Sequence, residues 1–266
     1  MTATFLQNIL EIKRKRVESQ KLLVDPVALK EHAFFVRTNA EPHRLQKSLM
    51  TTDGFNIIAE IKRASPSHGA INKGIDVAGI AKCYEKGGAC AISILTEEDF
   101  FQGFLDDLRT VRDSVTLPIL RKDFVFDVFQ IYEAAEAGAD AILLIAAMLD
   151  DNLLEKLYFL ADRDLGLDVL MEIHTLEELE RVKQIGAKII GVNNRDLHSF
   201  EVSLDISREL IKLAPQGGAL MIAESGLKTR KDLVELGSLG FDAFLIGETL
   251  MKSEDPERML KELSAK

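Results

Sequence analysis

A carboxylate and an ammonium group stand two residues apart in the apolar stretch 57–69, which reads IIAEIKRASPSHG. The β-branched residues at its start predict a buried parallel strand. Because side chains alternate along a strand, Glu60 and Lys62 point to one face, and Ile57, Ala59 and Ile61 pack on the other. Charges on an inward face are costly to bury. The pair therefore indicates an acid–base site, with one ion pair that closes the strand as the structural alternative.

An alternation of strands and helices follows this stretch. Amphipathic segments separate the strand candidates, and glycines at 87–88, 138, 186 and 240 end helices before strands begin. Eight strands in this pattern predict an α/β fold, a single (β/α)8 TIM barrel. An open doubly wound sheet is the alternative, but residues 63–66 are not its glycine-rich phosphate turn. After the first strand, the candidates are 89–95, 117–120, 141–147, 168–173, 188–192, 220–223 and 243–246.

Polar groups or glycines follow all of these segments except 141–147, which ends with apolar side chains. The chemistry of a barrel lies where its strands end, so these groups are expected to meet at one mouth. Ordinary structural charges explain such convergence poorly, and it predicts an enzyme active site. The strand-end groups are Glu60, Lys62, Ser65, Ser93, Thr96, Glu97, Arg121, Lys122, Asp123, Phe124, Glu172, His174, Asn193, Asn194, Arg195, Asp196, Glu224, Ser225, Gly226, Gly247 and Glu248.

The ends of the last two strands predict a phosphate site. Small residues at 225–226 and 247 let backbone N–H groups approach an anion, at the usual phosphate position of a barrel. Ser65 adds a hydroxyl; the alternative is that the glycines only permit tight turns. Carboxylates among cations are typical of acid–base partners with separated pKa values. The cations are Lys62, Lys122 and Arg195, and the carboxylates are Glu60, Glu172 and Glu224.

Six motifs resemble one family, in order: IIAEIKRASPSHG, LPILRKDF, VLMEIHT, IIGVNNRDL, IAESGL and FLIGETLM. They are similar to those of indole-3-glycerol-phosphate synthase of tryptophan biosynthesis, and the match spans the chain. The resemblance implies a carboxy-lyase that closes the indole ring of 1-(2-carboxyphenylamino)-1-deoxyribulose 5-phosphate and releases CO2 and water. It implies catalytic or orienting roles for Glu60, Lys62, Lys122, Glu172, Asn193, Arg195, Glu224 and Ser225, and phosphate contacts at Ser65, Gly226 and Gly247. Glu248 departs from the family pattern, so its carboxylate is expected to turn away from the phosphate.

Individual roles follow from the chemistry of ring closure. The ketone oxygen needs a proton, which suits a lysine of lowered pKa, and we assign it to Lys122. Lys62 holds the substrate carboxylate or acts in dehydration, and Glu172 is the expected general base. The remaining carboxylates, Glu60 and Glu224, orient lysines and hydroxyls. Phe124 and Pro66 are expected to line the slot for the aromatic ring.

Residues 1–50 form a predicted helical extension that precedes the barrel domain at 51–266. Apolar residues at helical spacing predict a helix over 4–23, with a cluster of basic residues at 13–16. We expect Phe5, Ile9 and Ile12 to pack over the mouth of the barrel and exclude water. The alternatives are a solvated helix, or one that caps another apolar patch. Helices are also expected to start at Pro26 and Pro42.

Composition limits the classes of function. The chain has 266 residues, is 47% hydrophobic and carries a net charge of −10, which disfavours nucleic acid and anionic membranes as partners. No secretory signal or membrane span is recognisable, so a cytoplasmic location is expected. Cys83 and Cys90 lack the spacing of zinc ligands, and the histidines are scattered, so neither a metal nor a cofactor is implied. The expected partner is a small phosphate-bearing substrate, and a monomer is slightly favoured.

Two alternatives to the synthase remain open. A sugar-phosphate isomerase such as phosphoribosylanthranilate isomerase would share the barrel and its phosphate end. A chain that resembles that family would carry a Cys/Asp acid–base pair at its strand ends. Neither cysteine of this chain lies at the carboxyl end of a predicted strand. A barrel that binds a phosphate metabolite without turnover is the other alternative, and a turnover assay distinguishes it.

Overall fold

Eight parallel strands close into a barrel in the computed structural model, in which each strand pairs with the next and the last pairs with the first. The structure describes residues 5–50, 54–66, 69–70, 74–197, 199–214 and 218–265. The predicted helix start at residue 4 and the motif residues Ser67 and His68 lie outside these ranges. The strands are β1 Asn56–Ile61, β2 Ala91–Leu95, β3 Ile119–Lys122, β4 Ala141–Ile145, β5 Asp168–Ile173, β6 Ile189–Asn193, β7 Leu220–Glu224 and β8 Ala243–Ile246.

Helices alternate with the strands, so the predicted (β/α)8 barrel is confirmed. A helix at Leu105–Arg112 was not among the segments predicted, and the segment at 151–164 ends in a π-helical turn. A two-stranded hairpin, Ala64–Ser65 with Gly69–Ala70, follows β1. The helices are α1 Phe5–Leu23, α2 Pro26–Thr38, α3 Arg44–Leu49, α4 Val77–Lys86, α5 Leu105–Arg112, α6 Val128–Glu136, α7 Asp151–Phe159, α8 Leu176–Ile185, α9 Asp205–Leu210, α10 Arg230–Leu239, α11 Glu248–Met251 and α12 Pro256–Ser264.

Strand alternation divides the core into two layers. Ile58 belongs to a cluster inside the barrel, whereas Ile57, Ala59 and Ile61 belong to the layer between strands and helices. This is the alternation predicted for the first strand, and it directs Glu60 inward. Each fully buried aliphatic side chain contributes about 1.5–3 kcal/mol relative to exposure, so both layers hold the strand ends rigidly.

Part of the extension completes the barrel core. Leu45 and Leu49 of α3 are buried in the inner cluster. The start of α3 is bound at the first residue of β5, because the backbone N–H of Gln46 donates to Asp168 at 3.0 Å. Helix α3 therefore fills the amino-terminal end of the barrel, so this part of the predicted extension belongs to the barrel core.

Helix α1 lies near the carboxyl-terminal end of the barrel strands. The side of α1 that packs on the protein differs from the predicted side. Ile9 and Val17 are buried, but Ile12 is 40% exposed, so its predicted packing is wrong. Lys13 takes its place, since positions 9, 13 and 17 share one face. Its ammonium group is buried and lies 2.7 Å from Glu98 and 2.9 Å from Asp123. Lys13, one residue of the predicted basic cluster, thus joins α1 to the barrel through a buried ion pair.

Candidate active site

A cavity of about 500 Å³ opens at the carboxyl ends of the strands. This is a typical volume for a small-molecule site. Leu143 and Ile145 of β4 form part of an apolar wall, and Leu6 brings α1 to the rim. Every predicted site residue lines this cavity, namely Glu60, Lys62, Ser65, Pro66, Lys122, Phe124, Glu172, Asn193, Arg195, Glu224, Ser225, Gly226, Gly247 and Glu248.

Lys122 lies at the centre of the site, between two carboxylates. Its Nζ is 3.1 Å from Glu172 Oε2 and 2.9 Å from Glu224 Oε2. Burial by itself would lower the pKa of Lys122, but the negative charges of these two residues outweigh burial and raise the pKa. The expectation of a lowered pKa is wrong, because anions rather than a second cation surround this lysine.

Glu172 and Glu224, the two carboxylates beside Lys122, differ in the hydrogen-bond donors and positive charges around them. Burial opposes ionisation of Glu172, but Lys122, His174 and a hydrogen bond from Asn193 together lower the pKa of Glu172. Burial raises the pKa of Glu224 to about 7, and Lys122 only partly offsets this. Glu224 Oε1 has no hydrogen-bond partner among the described residues. At neutral pH Glu172 is ionised, whereas Glu224 can gain or lose a proton.

Gly191 in β6 makes room for the Glu224 side chain. A Cβ atom at this position would overlap Glu224 Oε1 and come within 3.0 Å of Leu170 Cδ1. Gly191 was not among the predicted site residues. An isolated glycine inside a strand signals close approach of another group, and the motif IIGVNN contains that signal.

Glu60 and Lys62 form an ion pair of 2.6 Å at the end of β1. A Cβ atom on Gly247 would overlap the carboxylate of Glu60. The glycine at 247 is therefore needed first for the packing of Glu60. The sequence explains the glycine at 247 by the access of backbone N–H groups to an anion. The packing of Glu60 is a second reason for a glycine at this position.

Residues 225–226 make an unusual turn at the end of β7. Ser225 has φ 64° and Gly226 has φ 80°, and a left-handed conformation at a residue other than glycine costs on the order of 1 kcal/mol or more. A Cβ atom on Gly226 would also lie 2.6 Å from Val202. Such strain is characteristic of functional sites.

Glu248 begins α11 on the other side of the predicted phosphate position. Its carboxylate lies 2.6 Å from Lys252 Nζ and 3.8 Å from Arg195 Nη2. These cations balance the negative charge that the sequence places beside the predicted anion site.

Comparisons with known proteins agree with this arrangement. The family model for indole-3-glycerol phosphate synthase matches residues 6–263. The chain belongs to this family. An indole-3-glycerol phosphate synthase from Aquifex aeolicus is 45% identical over 260 residues, which cover 97% of this chain and 98% of the relative. One from Carboxydothermus hydrogenoformans is 39% identical over 264 residues, covering 98% and 100%. The predicted membership, an enzyme of tryptophan biosynthesis and a carboxy-lyase, is confirmed.

A solved structure of thiamine phosphate pyrophosphorylase from Pyrococcus furiosus shares the fold. Its TM-score is 0.58 at 16% identity, with 79% of this chain and 94% of that chain covered. At this identity the likeness concerns the barrel alone. Indole-3-glycerol phosphate synthases act on a phosphate-bearing small molecule, so the predicted class of substrate is also confirmed.

Several predicted mouth residues of this synthase family member serve the scaffold instead. Arg121 points away from the cavity and donates to the Gln130 carbonyl of α6 at 2.7 Å. Thr96 donates to Asp123 at 2.7 Å. Glu97 accepts backbone N–H groups of the loop at 99–101. These groups hold the loops after β2 and β3, so their predicted convergence on the mouth is wrong.

Aromatic and aliphatic side chains complete the cavity, and the sequence pattern did not identify them. Phe101 lies beside Phe124, with 6.4 Å between ring centroids. Leu197 and Phe200 come from the loop after β6. Apolar residues in loops carry no periodic signal, so only their convergence on one cavity distinguishes them from other exposed apolar residues.

One group of carboxylates among the described residues has the spacing of metal ligands, at positions 97–99. Glu98 pairs with Lys13, and Asp99 with Arg16. These cations occupy the acceptor oxygens, and the group does not line the cavity. Within the described part of the chain, no helix has the length and apolar character needed to cross a membrane.

Proposed function

We propose that this cavity converts 1-(2-carboxyphenylamino)-1-deoxy-D-ribulose 5-phosphate into indole-3-glycerol phosphate, with Lys122 as the proton donor and Glu224 as the proton acceptor. The observation that carries these roles is the contact of the Lys122 ammonium with both Glu172 and Glu224. Family membership supplies the overall reaction, and this geometry supplies the assignment of residues.

Ring closure requires a proton on the ketone oxygen as the aromatic carbon attacks. Lys122 donates it, although a raised pKa makes the lysine a weaker acid. Glu224 compensates, because its pKa of about 7 lets it carry a proton that passes to Lys122 across 2.9 Å. Loss of CO2 then restores the aromatic ring and leaves a hydroxyl group on the new five-membered ring.

Dehydration follows with Glu224 as a carboxylate. It takes the proton from the ring carbon beside the nitrogen, and the hydroxyl leaves as water with a proton from an ammonium group. Lys62, held by Glu60 at 2.6 Å, is our candidate for that donor. A base is most effective when its pKa is near the working pH. The role of general base, expected for Glu172, therefore passes to Glu224.

The substrate phosphate is proposed to bind Ser65, Gly226 and the backbone at 247–248. A short helix after the last strand is a common phosphate site of barrels, and α11 starts at Glu248. Arg195 and Lys252 lie on the same side of the cavity. The aromatic ring is proposed to lie at the other side, between Phe124, Pro66 and the apolar wall.

An isomerase with a cysteine acid is less compatible with this cavity. Of the described residues that line it, none is a cysteine. Cys83 lies on α4, and the carbonyl of Cys90 accepts a hydrogen bond from Ser48 of the extension. A binding protein without turnover has no evident use for a lysine between two buried carboxylates.

The test is turnover of the carboxyphenylamino-deoxyribulose phosphate, followed by indole fluorescence. We expect Lys122→Met to lower kcat by about 10²–10⁴-fold with little change in KM, as for loss of a general acid. Lys82→Met, an exposed substitution on α4, is the matched control. A Lys122→Met enzyme with more than about a tenth of normal kcat would contradict the assignment.

We further propose that the protein is a cytoplasmic monomer without nucleic-acid or membrane partners. We also propose that residues 1–50 and 51–266 fold and unfold together as one cooperative unit. The burial of Leu45 and Leu49 in the barrel core supports the last point. Light scattering during size-exclusion chromatography measures the mass, for which 29.6 kDa is expected. A mass twice that value would contradict the monomer.

A further inference from the structure

His174 lies behind Glu172, on the side away from Lys122, and outside the residues that line the cavity. Its side chain is 11% exposed. Nε2 is 3.6 Å from Glu172 Oε1, and Nδ1 is 3.6 Å from Glu178 Oε2. Each ring nitrogen therefore faces a carboxylate.

This arrangement favours an imidazolium ion. A neutral imidazole has one nitrogen that only accepts hydrogen bonds, and here that nitrogen would face the lone pairs of an ionised carboxylate. A protonated ring offers N–H groups to both. Burial lowers the pKa of His174, but Glu178 and Glu172 outweigh burial and raise it above the usual value. Glu224 adds a smaller contribution in the same direction.

Glu178 is held by the start of α8, so the ring is supported from the scaffold. Glu178 accepts the backbone N–H of His174 at 2.7 Å, and its own N–H donates to Thr175 at 3.2 Å. The pKa of Glu178 is lowered, since the imidazole and the backbone N–H groups of His174 and Thr175 together outweigh burial. Glu178 is therefore an ionised anchor and takes no part in the cavity.

Contacts to the two central carboxylates differ because of Asn193 and this histidine. Lys122 donates to one oxygen of each, and Asn193 donates to Glu172 alone. The second oxygen of Glu172 lies 3.6 Å from His174 Nε2, which is an ion-pair contact and longer than a hydrogen bond, whereas the second oxygen of Glu224 has no hydrogen-bond partner among the described residues. A positive charge next to one carboxylate favours its ionised form.

We propose that His174 is a positioning residue that, as an imidazolium, keeps Glu172 ionised and oriented, and thereby directs the mobile proton of the Lys122 cluster to Glu224. The charged groups that face this cluster are Glu172 on β5, Glu178 on α8, Glu224 on β7, Lys122 on β3 and Glu60 on β1, whose charge raises the pKa values of Lys122 and Glu224. The inference rests on the proposed function for its effect on turnover, but the charge state of the ring is measurable without substrate.

Histidine titration by NMR tests the charge state directly in the whole protein, which has five histidines. We expect the pKa of His174 to lie above the ordinary histidine value of 6.5 and to fall in Glu178→Gln and in Glu172→Gln. The NMR signal of His174 is assigned by its loss in His174→Gln. If His174→Gln does not fold, the signal is assigned by its shift in Glu178→Gln. A pKa at or below 6.5 in the unaltered protein would overturn the proposal.

Turnover gives the second readout. We expect kcat to decline at alkaline pH in two steps, one as Glu224 loses the proton that it passes to Lys122 and one as His174 loses its proton, because the pKa of Lys122 is raised and this lysine titrates later. In His174→Gln the step of His174 is lost and only that of Glu224 remains, kcat falls by about tenfold or more, or roughly 1.4 kcal/mol, and KM stays unchanged. His32→Gln is the control, since His32 is exposed and pairs with Glu136 far from the site.

Separate outcomes distinguish the two proposals. No turnover by the unaltered protein, with an elevated His174 pKa, would refute the function and leave the positioning role supported by the titration. Normal turnover and an unchanged alkaline limb in His174→Gln would refute the role of His174 alone.

Discussion

Replacing Glu224 by glutamine should stabilise the protein while it removes activity. The side chain keeps its size, but the carboxylate is lost. Burial raises the pKa of Glu224 from 4.5 to about 7 in the folded protein. The folded state therefore holds this proton more tightly than the unfolded chain, and ionisation of the buried group opposes folding.

The magnitude follows from linkage. One pKa unit corresponds to about 1.36 kcal/mol, so the cost of ionised Glu224 reaches about 3 kcal/mol above pH 7. The sign is that of a raised pKa. The contribution of protonated Glu224 to the free energy of unfolding is fully present below about pH 4.5 and is lost as the pH rises through about 7. Glu224→Gln removes this pH dependence, so its advantage is largest at pH 8 and small at pH 5.

Glu172→Gln is the matched control in the same cavity. The pKa of Glu172 is lowered in the folded protein by Lys122 and His174. Its stabilising contribution is present above the ordinary carboxyl pKa and is lost as the pH falls. The same chemical change should therefore lower stability at pH 8, in the opposite direction to Glu224→Gln.

Urea unfolding at pH 5 and pH 8, together with kcat at each pH, measures both effects. For a domain of this size, 3 kcal/mol corresponds to a rise in Tm on the order of 6–12 °C. We expect kcat of Glu224→Gln to fall by about 10²–10⁴-fold. Equal stability of Glu224→Gln and the unaltered protein at pH 8, or a stability change of the same sign in Glu172→Gln, would refute the reasoning.

Two further predictions concern residues that support the site. Gly191→Ala should displace the Glu224 carboxylate and lower kcat by about tenfold or more, with a folded circular dichroism spectrum; normal kcat would mean that Glu224 needs no fixed position. Lys13→Met should destabilise the protein by about 1–3 kcal/mol, because Asp123 loses one buried partner but keeps Arg121 at 3.1 Å and Thr96 at 2.7 Å, whereas Lys15→Met on the exposed face of α1 should not. Equal Tm values for these two variants would show that the buried pair does not hold α1 to the barrel.

The sequence alone determined the barrel and most of the polar residues at its mouth. Period-two alternation placed Glu60 and Lys62 on one face, and the repeat of strand, helix and glycine determined the closed sheet. These features depend on local periodicity, which the chain encodes directly. Family motifs then identified the residues at the strand ends, and the structure places those assigned to the site around one cavity.

Protonation states required the tertiary structure. Lys122 was expected to have a lowered pKa, yet the carboxylates of β5 and β7 raise it. A pKa depends on charges within a few ångströms, and residues 122, 172 and 224 are distant in the chain. The proposed choice of Glu224 over Glu172 as the base likewise rests on the surroundings of Glu172, where Lys122, His174 and Asn193 come from other parts of the chain.

The roles of the extension were also decided by the tertiary structure. A helical pattern predicted α1 and assigned Phe5, Ile9 and Ile12 to its buried face, but Lys13 rather than Ile12 is buried beside Ile9. The buried carboxylate of Asp123 and the partly exposed one of Glu98 compensate the charge of Lys13. Sequence periodicity counts apolar residues, so it cannot recognise a charged residue whose partners come from other elements.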